Sequence, residues 1–187
     1  MKKLLIALLM VVGGISVSAG AQAEEVYVIR GFMNVFSQGM DEMQQKMSQR
    51  GIRASIHSNG NWRAIANQIL ARRKAGRISY PIVIIGHSYG AVEAPELANY
   101  LVSNGVPVEL VIGVDPGFPQ PDAFGPGIDS VVNYKIPSGK DFRAGVGFRG
   151  KMKTQDVSKL GVTHTSIDDH PTVHDMVIRD VRQVMRK

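Results

Sequence analysis

The chain has 187 residues, no cysteine, and 22 Lys plus Arg against 16 Asp plus Glu, a formal charge of +6. The missing cysteine excludes a lipid anchor on a processed N-terminal Cys and, in itself, neither favours nor opposes export. The basic clusters (Arg72, Arg73, Lys74 and Arg77; then Lys140, Arg143, Arg149, Lys151, Lys153 and Lys159) carry no alternating aromatic residues, so they read as solvated faces and no nucleic-acid partner is expected.

The first segment, "MKKLLIALLMVVGGISVSAGAQA", places Lys2 and Lys3 before an apolar run from Leu4 to Val12 and ends on Ala21-Gln22-Ala23. That order of charge, apolar core and small-residue cleavage site is a secretory signal peptide. Gly13, Gly14, Ser16 and Ser18 interrupt the run before the roughly 20 apolar residues that a membrane span requires. Cleavage after Ala23, an exported periplasmic or secreted product, and no stable membrane insertion afterwards are the expectation. Residues 24–187 then form a single domain with a charge near +4, long enough for a proper core.

Strand and helix signals alternate from there on. "EVYVIRG" reads as a short buried strand. Ser37 to Arg50 reads as an amphipathic helix starting at a Ser cap, with Met40, Met43 and Met47 as its packing stripe. "GIRASIHS" is a second strand, and "NWRAIANQILARRKAG" a helix with Trp62, Ile65, Ile69 and Leu70 inward and Gly76 at its end. "PIVIIG" is the third strand, followed by a helix from Tyr89 to Asn104. "VPVELVIGVD" and "SVVNYKI" are the fourth and fifth strands, "KMKTQDVS" a weaker sixth. "PTVHDMVIRDVRQVMRK" closes the chain as a helix whose inner stripe is Val173, Met176, Val177, Val181 and Val184. This alternation predicts an α/β protein with about six mostly parallel strands and helices on both faces. Ligands of such sheets bind beyond the carboxyl ends of the strands, so chemistry is sought just after each one.

One stretch singles itself out: "PIVIIGHSYGAVEAPELANYL", residues 81–101. A Gly-x-Ser-x-Gly match alone is weak, but here a strand runs into it and a helix leaves it at once. A nucleophile elbow requires that context, because a strained, sharply bent turn lifts a serine clear of the sheet. Gly86 and Gly90 relieve the crowding two residues to either side of Ser88. An ordinary strand-to-helix loop would not need both glycines.

The motifs "GHSYG", "GVDP" and "GVTHTSIDDHP" together resemble those of α/β-hydrolase-fold serine hydrolases of the lipase, esterase and thioesterase group, here in a minimal form. The likeness in element order covers nearly the whole chain after residue 23. It implies a triad in the order Ser, Asp, His, with Ser88 as nucleophile. Asp115, which closes the apolar strand "ELVIGVD" without an intervening loop, is the favoured acid. Asp129 and Asp141, flanking the next strand, compete for that role. His164, on a short loop seven residues before Pro171, matches the family's histidine loop and is the favoured base, with His170 as its rival. His174 lies inside the last helix, His87 is read as a packing residue, and His57 ends the second strand where it would line the crevice. The resemblance also maps the oxyanion donors to the backbone N–H groups of Tyr89 and Phe32. The "IRGF" turn holding Phe32 departs from the family in having Arg30 where histidine is common.

The loop "PGFPQPDAFGPGID" is too rich in proline for a helical lid. An open crevice with Phe118 and Phe124 on its rim is therefore expected, without activation at lipid interfaces. The implied substrate is a small-molecule carboxylic ester or thioester. No cofactor is implied, and no metal site, since His170 and His174 at i,i+4 lack a third ligand. The oligomeric state and the choice between hydrolysis and acyl transfer stay open, as does a non-catalytic binding role on the same fold.

Overall fold

The computed structural model describes residues 26–32 and 37–186, so the expected signal segment lies outside the described residues. Six strands and four longer helices follow in the order β1 (Val26–Ile29), α1 (Gln38–Gln49), β2 (Ala54–His57), α2 (Trp62–Lys74), β3 (Val83–His87), α3 (Tyr89–Ser103), β4 (Val108–Val114), β5 (Ile128–Lys135), β6 (Lys151–Asp156) and α4 (Pro171–Met185). The strands form one sheet in the order β2-β1-β3-β4-β5-β6, parallel at every pairing. β1 lies one place in from an edge that β2 forms, and the chain then crosses to β3 on the other side of β1 and builds outward to the far edge.

Alternation along the strands assigns the two cores. Val26 and Val28 of β1, Val83 and Ile85 of β3, and Leu110, Ile112 and Val114 of β4 face α1 and α4. There they meet the methionine stripe Met40, Met43 and Met47 and the α4 stripe Val173, Val177 and Val181. Tyr27, Ile29, Ile84 and Val111 point to the opposite face, against Ile65, Ala66 and Ile69 of α2 and Ala91, Ala94 and Leu97 of α3. Strands buried on both faces need continuous apolar runs, which β3 and β4 supply.

Two expectations need correction. Ser37 occupies the N-cap position of α1 but makes no side-chain cap, because its hydroxyl is engaged elsewhere by Gly31 and His87. Phe124 is not on a crevice rim. It is fully buried, with its ring edge-on to Phe142 at 5.1 Å between centroids. The backbone explains this: Phe124 bridges Ala144, donating to Arg143 O at 2.9 Å and accepting from Gly145 N at 2.8 Å. That ladder pulls the ring inward over β4 and β5, where its apolar surface is worth more than on the rim.

Candidate active site

The carboxyl ends of β1, β3 and β4 lie side by side, and the chain leaving each one supplies part of the site. Ser88 follows β3 directly, with φ 51° and ψ −116°, in the left-handed half of backbone space that few non-glycine residues occupy. The flanking glycines permit this bend. A Cβ on Gly86 would run into the Gly90 carbonyl group, and one on Gly90 would stand 2.6 Å from the Arg30 carbonyl oxygen at the end of β1. The two glycines thus let the start of α3 pack under the turn and against β1. Ser88 N–H donates to Val114 O at 3.1 Å, and Ser88 O accepts from Gly117 N–H at 3.1 Å. The bend is therefore pinned to both ends of the neighbouring β4 turn.

Asp115, immediately after β4, also has positive φ, 47°. Its side chain is fully buried. Oδ1 accepts from the Ile136 backbone N–H at 3.0 Å, and Oδ2 lies 2.5 Å from Nδ1 of His164. The other nitrogen of that ring, Nε2, is 2.9 Å from Ser88 Oγ. His164 is contributed by the segment between β6 and α4, so its half-buried ring is brought to Ser88 from the far edge of the sheet. The hydrogen bond to Asp115 raises the imidazole pKa above its ordinary value, against the opposing effect of burial.

The structure thus brings Ser88, His164 and Asp115 together in one hydrogen-bonded row. It separates the competitors from that row. Asp129 stands exposed at the amino end of β5, the wrong end of the sheet. Asp141 pairs with Lys135 Nζ at 2.9 Å. His170 is the N-cap of α4, its Nδ1 accepting from Thr172 N–H at 3.2 Å. His174 is buried inside α4 and meets Lys46 Nζ at 2.9 Å. His57 ends β2, but its Nε2 shares a hydrogen bond with Ser55 Oγ at 2.8 Å and its ring stacks on Tyr27. Those contacts place it on the α2 side of the sheet rather than against Ser88.

Around the row, Tyr89 is the first residue of α3, where unpaired N–H groups and the helix dipole favour negative charge. Among the described residues no backbone carbonyl accepts from its N–H. Phe32 lies in the turn after β1 with 65% of its surface exposed, so it is no core residue. Arg30, beside it, forks onto the Asp41 carboxylate of α1, with Nε donating to Oδ2 at 2.8 Å. Phe118 is 78% exposed, one residue beyond Gly117, with Lys140 Nζ 5.2 Å from its ring centre. The loop 116–127 contains no helix.

Two buried groups were not visible as site residues in the sequence. His87 is fully enclosed and hydrogen-bonded at both nitrogens, to Ser37 Oγ at 2.8 Å and to the His164 carbonyl oxygen at 3.1 Å. Asp168 is buried with neither carboxyl oxygen hydrogen-bonded among the described residues, and burial pushes its pKa up to about 7. A signal for His87 was available. It shares its face of β3 with Val83 and Ile85, and a histidine at an apolar position demands partners.

No family model matches this chain, and no curated protein matches it by sequence. Solved structures match by shape. The thioesterase domain SrfTE, described for the cyclization of the lipopeptide antibiotic surfactin, aligns with a TM-score of 0.52 at 14% identity over 89% of this chain and 93% of that one. The NocB thioesterase domain, solved as a covalent complex with a fluorophosphonate nocardicin G analog, aligns with a TM-score of 0.53 at 11% identity, covering 88% and 96%. The shared architecture is the α/β-hydrolase fold, here in a minimal six-stranded form.

Proposed function

We propose that this protein is a serine hydrolase that cleaves carboxylic ester or thioester bonds, with Ser88 as nucleophile, His164 as general base and Asp115 as its orienting acid. The observation that carries the reading is the continuous row from Ser88 Oγ to His164 Nε2 at 2.9 Å and from His164 Nδ1 to Asp115 at 2.5 Å. A serine hydroxyl is a weak nucleophile near neutrality, and an imidazole at hydrogen-bond distance takes its proton as the oxygen attacks. Asp115, dry and anchored by the Ile136 N–H, holds the ring with Nδ1–H toward the carboxylate and steadies the imidazolium that forms.

Ser88 Oγ bonds to the substrate carbonyl carbon while its proton passes to His164 Nε2. The resulting oxyanion is held by the backbone N–H groups of Tyr89 and Phe32, the second on the resemblance of the "IRGF" turn to the family's oxyanion turn. Loss of one such donor typically costs about 3 kcal/mol of transition-state stabilisation. Collapse expels the alcohol or thiol, which takes the proton from His164, and leaves an acyl group on Ser88. Water repeats the sequence and releases the acid. An alcohol or amine in place of water would make the same site an acyltransferase.

The loop 116–127 supports an open, lidless crevice with exposed Phe118 on its rim. The character of residues 1–23 supports export to the periplasm or medium. The test is an ester and thioester panel on the protein beginning at residue 24, with Ser88→Ala as control and competing acceptors to separate transfer from hydrolysis. Turnover that disappears with Ser88→Ala is expected. Equal turnover by both proteins would end the nucleophile assignment, and no turnover of any ester or thioester by either would favour a binding role.

A further inference from the structure

We propose that His87 is a positioning residue, whose ring ties the turn after β1 to the backbone of the loop bearing His164 and so sets the spacing between oxyanion donor and base. This rests on the reading of Ser88 as nucleophile. His87 is 2% exposed, on the face of β3 that meets α1 and α4, and a polar ring there must have both nitrogens satisfied.

The partners fix where every proton lies. A carbonyl oxygen only accepts, so the contact at 3.1 Å makes Nε2 the protonated nitrogen, donating to His164 O. Burial pushes the ring's pKa down to about 4, so the imidazole is neutral at pH 7 and Nδ1 carries no proton. Nδ1 therefore accepts from the Ser37 hydroxyl at 2.8 Å. Ser37 Oγ in turn accepts from the Gly31 N–H at 2.8 Å. The chain reads in one direction: Gly31 N–H to Ser37, Ser37 O–H to His87, His87 Nε2–H to the His164 carbonyl.

Its members come from four places in the sequence. Gly31 directly precedes Phe32, His87 directly precedes Ser88, Ser37 opens α1, and His164 arrives from beyond β6. No slack is left at the first link, since a Cβ on Gly31 would stand 2.6 Å from Ser37 Oγ and 3.1 Å from His87 Nδ1. The charged and titratable groups facing His87 are His164, with ring centres 5.4 Å apart, Asp115, and the carboxyl of Asp168, whose Oδ1 is 3.7 Å from Nε2. None displaces the three hydrogen bonds, so the ring works as a spacer between loops, and Ser37 forgoes its helix cap to complete it.

Two amides separate the links. In His87→Gln the amide nitrogen reaches the Nε2 position and still donates to His164 O, while Ser37 loses its acceptor. In His87→Asn the amide oxygen replaces Nδ1 and keeps Ser37, while the tie to His164 is lost. The experiment measures kcat, KM, the pH profile of kcat/KM and Tm for both, with Ser37→Ala, on an ester that the wild type turns over. Ser37→Ala and His87→Gln are expected to lower kcat about 10-fold with KM and the acid limb unchanged, because an oxyanion donor acts only in the transition state. His87→Asn is expected to lower kcat and also to move the acid limb, because the loop holding His164 is freed. Variants that fold with a lower Tm but wild-type kcat and pH profile would overturn the proposal. Ser37→Ala alone decides it if the His87 variants do not fold. Nitrogen-15 NMR of the wild-type ring is independent of activity. It should show Nε2 protonated and Nδ1 bare at pH 7, and the opposite tautomer or a charged ring would overturn the arrangement. Wild-type protein that a fluorophosphonate fails to label at Ser88 would overturn the underlying reading, and this role with it. Labelled wild type beside kinetically normal variants would overturn the His87 role alone.

Discussion

Asp115 shows how little of a functional side chain's work is visible in its sequence neighbours. In "GVDP" it looks like a turn initiator, and it does turn the chain, with φ 47°. Yet both carboxylate oxygens are committed, one to the Ile136 N–H and one to His164. That hydrogen bond is the largest cause of the raised His164 pKa. On the proposed mechanism His164 must be neutral to accept the Ser88 proton, so the rate falls as pH drops through its pKa, and raising that pKa moves the fall to higher pH. Asp115→Asn is therefore expected to shift the acid limb of kcat/KM to lower pH while reducing kcat roughly 10³- to 10⁴-fold. A pH-rate study of both proteins checks it; an unmoved limb would point to another acid. Ser88 and Asp115 were legible as candidates because each ends a strongly apolar strand, and His164 because its loop before Pro171 resembles the family's histidine loop. Ser37 and Asp168 were not, because their partners are distant in sequence and only the folded chain shows that burial has trapped them.

At the scale of elements, the segment between β6 and α4 has two jobs, and Asp168 belongs to the second. It delivers His164 upward to Ser88, and it seats α4 beside α1 through the Asp168 carbonyl, which accepts from His174 Nε2 and packs against Gly39. The Asp168 carboxyl is caught in that joint without a hydrogen-bond partner among the described residues. Its pKa rises from an ordinary 3.8 to about 7 in the folded state, through burial first and the neighbouring Asp169 second. The sign follows from proton binding. Between those two values the folded chain holds a proton that the unfolded chain has lost, so stability is greatest below pH 4 for this group, falls as pH rises toward 7, and is level above it. Asp168→Asn removes that penalty. It is expected to leave Tm nearly unchanged at pH 4 and to raise it at pH 8, by at most about 4 kcal/mol of stability. Thermal melts at the two pH values measure it, and a lower Tm at pH 8 would show that the carboxylate has a partner after all. The same scale explains the misplaced Phe124. Its Pro- and Gly-rich surroundings read as exposed loop, and nothing local announces the bridge to Ala144 that draws it into the core.

Across the molecule, the carboxyl end of a six-stranded parallel sheet collects side chains encoded at positions 88, 115 and 164, and the fold accounts for that convergence. Parallel strands point all their carboxyl ends the same way, so loops far apart in sequence meet without further design. The alternation of strand and helix patterns made the sheet legible. The all-parallel pairing and strand order depend on which apolar faces meet, which only packing decides. The open crevice proposed from a loop 116–127 that contains no helix would meet solvent directly. Specific activity toward a short-chain ester is accordingly expected to rise smoothly through the substrate's critical micelle concentration. An abrupt increase there would reveal a closing element.

On the proposed mechanism an acyl group passes covalently through the Ser88 oxygen. Intact-protein mass spectrometry after rapid acid quench of a turning-over ester, followed by peptide mapping, tests it directly. A wild-type adduct of the acyl mass is expected on the peptide containing Ser88, and none in Ser88→Ala. Turnover with an adduct on another residue, or an adduct that survives in Ser88→Ala, would contradict it.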